Sequence, residues 1–286
     1  MALDTTAQVY DHEATGWQRG LYDDIKRTFR APFVNWIFRT TMANESAFLR
    51  YTWGQVAPIF DTRAFAEFSV AYRDAVLTAL EVPVHDSRDL GLRPPEYREL
   101  QGQLATFDIV GPRLAVLFRT LARTLDGERV GGVAGGVGST APYPVGLDRD
   151  RGREPTMVGP DETPPGTEET LAAVREEHDL GDGLPSIYRC LAQWPAALDA
   201  GWVAVAADDE ALATARGEAD RLVEDFVDRL AYTPRTTPAD LRTAGFGGAV
   251  EDVAALFEEF DAGGVDLLPL LPGYAAAVGA EGRRRL

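Results

Sequence analysis

Two aspartates offer the clearest chemistry in this sequence. Asp108 and Asp261 each follow a phenylalanine and precede a glycine by three positions, in Phe107-Asp-Ile-Val-Gly-Pro-Arg-Leu114 and Phe260-Asp-Ala-Gly-Gly-Val-Asp-Leu267. Residues three apart share a helix face, so each glycine leaves room beside its aspartate for a ligand or a close backbone. A carboxylate in such a space can take a proton from water as a general base. The plainer alternative has both aspartates on solvated faces, with the glycines serving only tight helix packing.

Other chemistries find less support. His12, His85 and His178 are scattered without ligand spacing, so no histidine metal site is expected. Cys190 is the single cysteine, which excludes an internal disulfide and a cysteine-based metal cluster, and it reads as a small buried hydrophobe. There is no Gly-x-Ser-x-Gly elbow. The glycine-rich run from Gly131 lacks a following Gly-Lys-Ser/Thr, so it does not read as a phosphate loop.

A formal charge of −17 over 286 residues argues against nucleic-acid binding, which needs clustered Arg and Lys, and the basic run Arg283 to Arg285 is short. Lys26 is the only lysine, and carboxylates dominate the charged residues. A dense carboxylate surface suits a salt-rich cytoplasm, where salt screens its self-repulsion. A G+C-rich genome would explain Arg over Lys but not the acidic excess. The first residues lack the basic region and apolar core of a signal peptide. No apolar run reaches the roughly 18 residues of a membrane span. The expected setting is soluble and cytoplasmic, with no membrane or nucleic-acid partner.

The elements that must position these residues read as helices throughout. Trp17, Leu21, Ile25 and Phe29 form a stripe that stops before Pro32, which opens a second helix. Asn44 and Thr62 are caps for the next two, and Pro112 should end or kink the helix carrying Phe107. Thr167 caps a short helix to about His178. Leu212, Ala215, Ala219, Leu222, Phe226 and Leu230 make the longest clean stripe, and Thr237-Pro238 opens another helix. No segment alternates with period two, so the predicted fold is all-α.

Internal similarity divides the chain. The Phe107 stretch recurs at Phe260, and Ala43, Leu49, Trp53 and Val56 match Ala192, Leu198, Trp202 and Val205 in the same order. The expected organisation is a first helical repeat over 15–126, a flexible Gly/Pro-rich linker over 127–184 carrying the short helix, and a second repeat over 185–280.

Four blocks in order carry a resemblance: Tyr22-Asp-Asp-Ile-Lys-Arg-Thr-Phe-Arg-Ala-Pro-Phe-Val34, Phe107 to Pro112, Val130-Gly-Gly132, and Ser186-x-x-x-x-Leu-Ala-Gln-Trp-Pro195. Together they resemble the group I 2-haloacid dehalogenases, the DehI family, over nearly the whole chain. The resemblance implies an all-α fold of two related halves around a central site. It implies hydrolysis of the carbon–halogen bond of 2-haloacids of either hand by direct attack of an activated water, with no metal or organic cofactor. Phe33 and Trp36 fall at the family's aromatic pocket positions and Ser186 at a site serine. Ile187 stands where the family has its water-activating aspartate. Gly111 stands where it has an asparagine, and a site tyrosine falls at Phe257 or Glu259. Losing a general base costs about 10²- to 10⁴-fold in rate, which makes Asp108 and Asp261 the candidate replacements. Asp108 lies one turn before the asparagine position, and Asp261 is its repeat mate.

Three readings stand on this sequence: a divergent hydrolase of this family, a non-catalytic module that binds a small organic acid, and a structural helical homodimer without ligand.

Overall fold

The computed structural model describes the chain apart from residues 1–3, 5, 135–139, 145, 149–150, 160–161, 181–182, 207 and 247–249 and the side chain of residue 250. Its described residues form eleven α-helices and no strand: Gly16–Phe29 (α1), Trp36–Phe60 (α2), Arg63–Leu80 (α3), Pro94–Leu125 (α4), Glu168–Glu177 (α5), Ser186–Leu191 (α6), Pro195–Ala206 (α7), Asp209–Asp228 (α8), Pro238–Thr243 (α9), Val250–Leu267 (α10) and Leu270–Ala276 (α11). The predicted all-α class holds.

Helix boundaries follow local chemistry, with instructive departures. Pro32 does not open α2; Asn35 does, its side chain accepting from the Ile37 N–H. Phe33 therefore precedes the helix. The break expected at Asn44 is a kink at Glu45 inside α2, because the Asn44 amide donates to the Thr40 and Asp4 carbonyls instead of capping. Thr62 and Thr237 do cap, accepting from Phe65 and Asp240, whereas the Thr167 hydroxyl donates to the Pro164 carbonyl. In α1, Trp17 is 47% exposed and Tyr22 is buried, since a strict spacing of four drifts off a face with a period of 3.6. Pro112 neither ends nor breaks α4. From Gly102 to Thr120 every residue but Ala115 is buried, and this packing on all sides outweighs the cost of about 3 kcal/mol for a helical proline.

The chain divides into two compact units. One comprises Met1–Ser69, Arg113–Leu147 and Arg221–Gly264; the other comprises Val70–Pro112, Asp148–Asp220 and Val265–Leu286. Each draws on both halves of the sequence. Segments begin at residues 1, 70 and 113 and again, each in the opposite unit, at 148, 221 and 265, offsets of 147, 151 and 152. Both units contain a tryptophan in a triangle of rings. Trp53 packs edge-on to Phe38 at 5.5 Å and against Phe29 at 5.8 Å, with Phe29 and Phe38 5.3 Å apart. Trp202 packs edge-on to Tyr188 at 6.3 Å and to His178 at 6.1 Å, with His178 and Tyr188 5.6 Å apart. Phe29 to His178, Phe38 to Tyr188 and Trp53 to Trp202 are offsets of 149, 150 and 149 residues.

The stretch read as a flexible linker is pinned to the rest of the chain at several described positions; its glycines at 135–136 and 138 lie outside the described residues. Arg63 donates its N–H to the Ala141 carbonyl and Tyr143 to that of Asp61, and Tyr143 and Leu147 are buried. Gly131 has φ +69°, and a Cβ there would sit 2.5 Å from the Tyr232 carbonyl, so only glycine fits this approach. In the other unit the Arg153 N–H donates to Gly102, and Thr106 donates to the Arg153 carbonyl. Backbone this close to helices finds partners there rather than in solvent.

Candidate functional site

The block after Pro185 is short and densely polar behind an apolar front. Ser186 is exposed at the first position of α6, Ile187 is buried, and Tyr188 is fully buried. The Tyr188 hydroxyl lies 2.6 Å from Nε2 of His178 and accepts from the Tyr274 hydroxyl at 3.3 Å. Burial pushes both phenols well above the usual tyrosine range. It also lowers the His178 imidazole below its usual 6.5, with the nearby Arg216 guanidinium acting in the same direction. Arg216 is held by Glu177 at 3.0 Å and by the Asp266 carbonyl at 3.2 Å.

Gly111 is a contact point in the same unit. A Cβ on it would lie 3.1 Å from Leu271 Cδ1 and 3.6 Å from the Leu268 carbonyl, so its bareness admits the segment entering α11. That helix also carries Tyr274, which makes α11 a shared neighbour of Gly111 and of the residue following Ile187.

Asp108 is an ionic fastener in this unit. It is fully buried; Oδ1 accepts from Arg73 Nε at 2.7 Å, and Oδ2 accepts from Arg151 Nη2 at 2.8 Å and the Gly282 N–H at 2.9 Å. Arg73 also donates to the Arg283 carbonyl and Arg151 to that of Ala280, while Asp148 lies 3.3 Å from Arg151. Two arginines and two aspartates thus clamp residues 280–283 onto α3 and α4. Both oxygens of the Asp108 carboxylate are therefore already occupied by donors of the protein itself.

Phe33, Trp36 and Asp261 fall in the other unit. Trp36 stacks on Phe260 at 5.1 Å, and Phe260 packs on Phe118 at 5.3 Å. Next in the chain, Asp261 Oδ2 accepts from Arg119 Nε at 2.8 Å, with its side chain 20% exposed. Arg119 continues through Glu224 and Arg123 to Asp228. Aromatic face and partly exposed carboxylate are therefore adjacent, joined by Phe260. Half-buried Phe33 stands before α2.

Cys190 donates to Gln103 Oε1 at 3.2 Å, and burial pushes its thiol up to about 12, so it offers no thiolate near neutrality. No group of three or more His, Cys, Asp or Glu among the described residues could hold a metal ion. No described helix is long and apolar enough to cross a membrane. The sequence reading missed the cluster of His178, Tyr188, Tyr274 and Arg216. A signal is present in the sequence: the offset that matches Trp53 to Trp202 also sets Phe29 against His178 and Phe38 against Tyr188.

Comparison with known proteins places this geometry in context. Residues 32–157 match the family described as "Halocarboxylic acid dehydrogenase DehI". The chain is 31% identical over 106 residues to the (R)-2-haloacid dehalogenase of Pseudomonas putida, covering 35% of each chain. It is 26% identical over 198 residues to a configuration-inverting 2-haloacid dehalogenase of Pseudomonas sp. (strain 113), covering 66% of this chain and 62% of the relative. The matches thus span less than two thirds of either relative. Two solved structures share the fold at a TM-score of 0.77 and 21% identity. One is a D-2-haloacid dehalogenase mutant with D-2-CPA, where 94% of both chains is covered. The other is a D-2-haloacid dehalogenase with L-LA, with 94% of this chain and 95% of that one covered.

Proposed function

Because the chain belongs to the DehI family, we propose that it hydrolyses the carbon–halogen bond of 2-haloalkanoic acids without a cofactor, using substituted catalytic positions. Water attacks C2, the carbon–oxygen bond forms as the carbon–halogen bond breaks, and the halide leaves with the bonding pair. The water proton passes to a carboxylate, giving a 2-hydroxy acid. Asp261 is the better base of the two candidates. Both oxygens of Asp108 are committed to Arg73, Arg151 and Gly282, whereas Asp261 is partly exposed beside the Trp36–Phe260 aromatic face that a halide or hydrocarbon could meet. That adjacency is the observation carrying this reading.

The duplication belongs to the same proposal. The triangles around Trp53 and Trp202 and the paired segment boundaries support two related halves that contribute equivalent pieces to different units.

The test is formation of lactate from each enantiomer of 2-chloropropionate, assayed in molar salt. Weak turnover is expected, reduced about 10²- to 10⁴-fold by Asp261→Asn. Full activity in a folded Asp261→Asn protein would exclude Asp261 as the base. The burial of Ile187 where the family places its aspartate favours a second reading, a binder of small organic acids. Saturable binding of 2-chloropropionate with no lactate formed would select it.

A further inference from the structure

The His178–Tyr188–Tyr274 cluster is left unused by the proposed reaction, and the chain carries its own control for it. In one unit the triangle around the tryptophan is completed by Phe29 and Phe38; in the other, His178 and Tyr188 complete it at nearly the same offset. Hydrocarbon rings therefore satisfy the packing at this place, and burying an imidazole and a phenol adds a desolvation cost that phenylalanine lacks.

The polar atoms are arranged to a purpose that packing does not explain. The Tyr274 hydroxyl donates to that of Tyr188, which leaves the Tyr188 proton to be donated to His178 Nε2. The imidazole hydrogen then resides on Nδ1. That Nδ1 is buried and makes no hydrogen bond within the protein, and the same is true of Arg216 Nη2. Arg216 pairs with Glu177, the residue immediately before His178, which sets its guanidinium beside the His178–Tyr188–Tyr274 chain of hydrogen bonds. Buried polar atoms are almost always partnered. Two donors left over in one cluster, one of them cationic, suit an acceptor from outside the chain. Glu177 and Asp266, at 3.0 and 3.6 Å from Arg216, already offset its charge, which limits that acceptor to a single negative charge.

We propose that the Nδ1–H of His178 and the Nη2–H of Arg216 bind a small monoanion, a halide or a carboxylate, with Tyr188 and Tyr274 fixing the imidazole tautomer. The site stands whether or not the chain turns over a haloacid.

The experiment is an NMR titration of the three histidines in the full-length protein against sodium bromide and, separately, sodium acetate. An anion beside the imidazole favours its protonated form. The His178 pKa is therefore expected to rise by about one unit and to saturate, while His12 and His85 follow only the gradual drift of ionic strength. Saturation by bromide identifies a halide site and saturation by acetate a carboxylate site. Arg216→Gln should abolish the saturable shift. The pair His178→Phe with Tyr188→Phe, which copies Phe29 and Phe38, should fold and leave Trp202 fluorescence insensitive to either salt. A wild-type His178 that drifts in parallel with His12 and His85 overturns the site, as does a saturable shift surviving in Arg216→Gln.

Discussion

Arg73 Nε donates to Asp108 Oδ1 at 2.7 Å, and at 1% and 0% exposure both side chains are out of water. Ion pairing so deep costs several kcal/mol of desolvation per charge and is sustained only when the remaining lone pairs and protons are also met. Residues 280–283 supply several of these partners: Gly282 donates to Asp108, and the carbonyls of Arg283 and Ala280 accept from Arg73 and Arg151. The repeated Phe-Asp motif thus marks one aspartate that fastens and one that lies by an aromatic face.

Asp108→Asn should therefore act on stability before activity. Removing the charge leaves Arg73 and Arg151 facing a neutral partner, a loss of about 3–5 kcal/mol for a broken buried pair. Chemical denaturation should report it, together with proteolysis advancing first into residues 280–286. A variant as stable as the parent but without turnover would return Asp108 to the role of base.

Stability should also depend on pH through His178. Its folded pKa lies below the unfolded value of 6.5, chiefly through burial, so below about pH 6.5 the unfolded chain takes up a proton that the folded chain resists. The contribution is complete above 6.5 and is lost as pH falls from there toward the folded pKa. His178→Phe should flatten this part of the stability profile. An unchanged slope between pH 5 and 6.5 in that variant would show that His178 does not set it.

The sequence made the fold class legible because its apolar residues recur with a helical period and nowhere with period two. Caps at Thr62 and Thr237 were legible for the same local reason. Pro112 was not, because burial of α4 around it is a tertiary fact that overrides a local breaker. The strap after Gly127 looked structureless for want of periodicity, yet its partners are carbonyls and amides on distant helices. At the site, the Asp108 and Asp261 motifs share Phe, Asp, Gly and Leu at the same offsets, and what separates the two aspartates is their tertiary surroundings, a buried arginine pair for one and a partly exposed place for the other. His178 carries no local signature in the sequence, because its partner is a phenol ten residues away and not a metal shared with another histidine.

Salt should stabilise the protein. Exposed pairs such as Arg63–Glu67 and Arg221–Asp225 contribute at most about 0.5 kcal/mol each and weaken with salt. Self-repulsion from a net charge of −17 is the larger opposing effect, and salt screens it. The melting temperature should climb from dilute buffer to molar KCl. A flat curve would remove the case for adaptation to high salt.

Introducing a polar pair at Ile187 and Gly111 is the sharpest test of the proposal that these are substituted catalytic positions, and the packing dictates how it must be done. Ile187→Asp introduces a carboxylate at a buried position, where desolvation raises its pKa and resists ionisation. Gly111→Asn meets a harder obstacle, since even a Cβ would lie 3.1 Å from Leu271 Cδ1. Overpacking of this kind costs about 1–3 kcal/mol. Gly111→Asn alone should therefore be destabilised, and Leu271→Ala should recover part of the loss by vacating that contact, which a double-mutant cycle would read as favourable coupling. With the space made, Ile187→Asp, Gly111→Asn and Leu271→Ala together should form lactate from 2-chloropropionate faster than the wild type, with a rate that rises as pH is raised through the new carboxylate's elevated pKa. A folded triple variant no faster than the wild type at any pH would mean that Ile187 and Gly111 are not the positions where this chain lost its base and its polar partner.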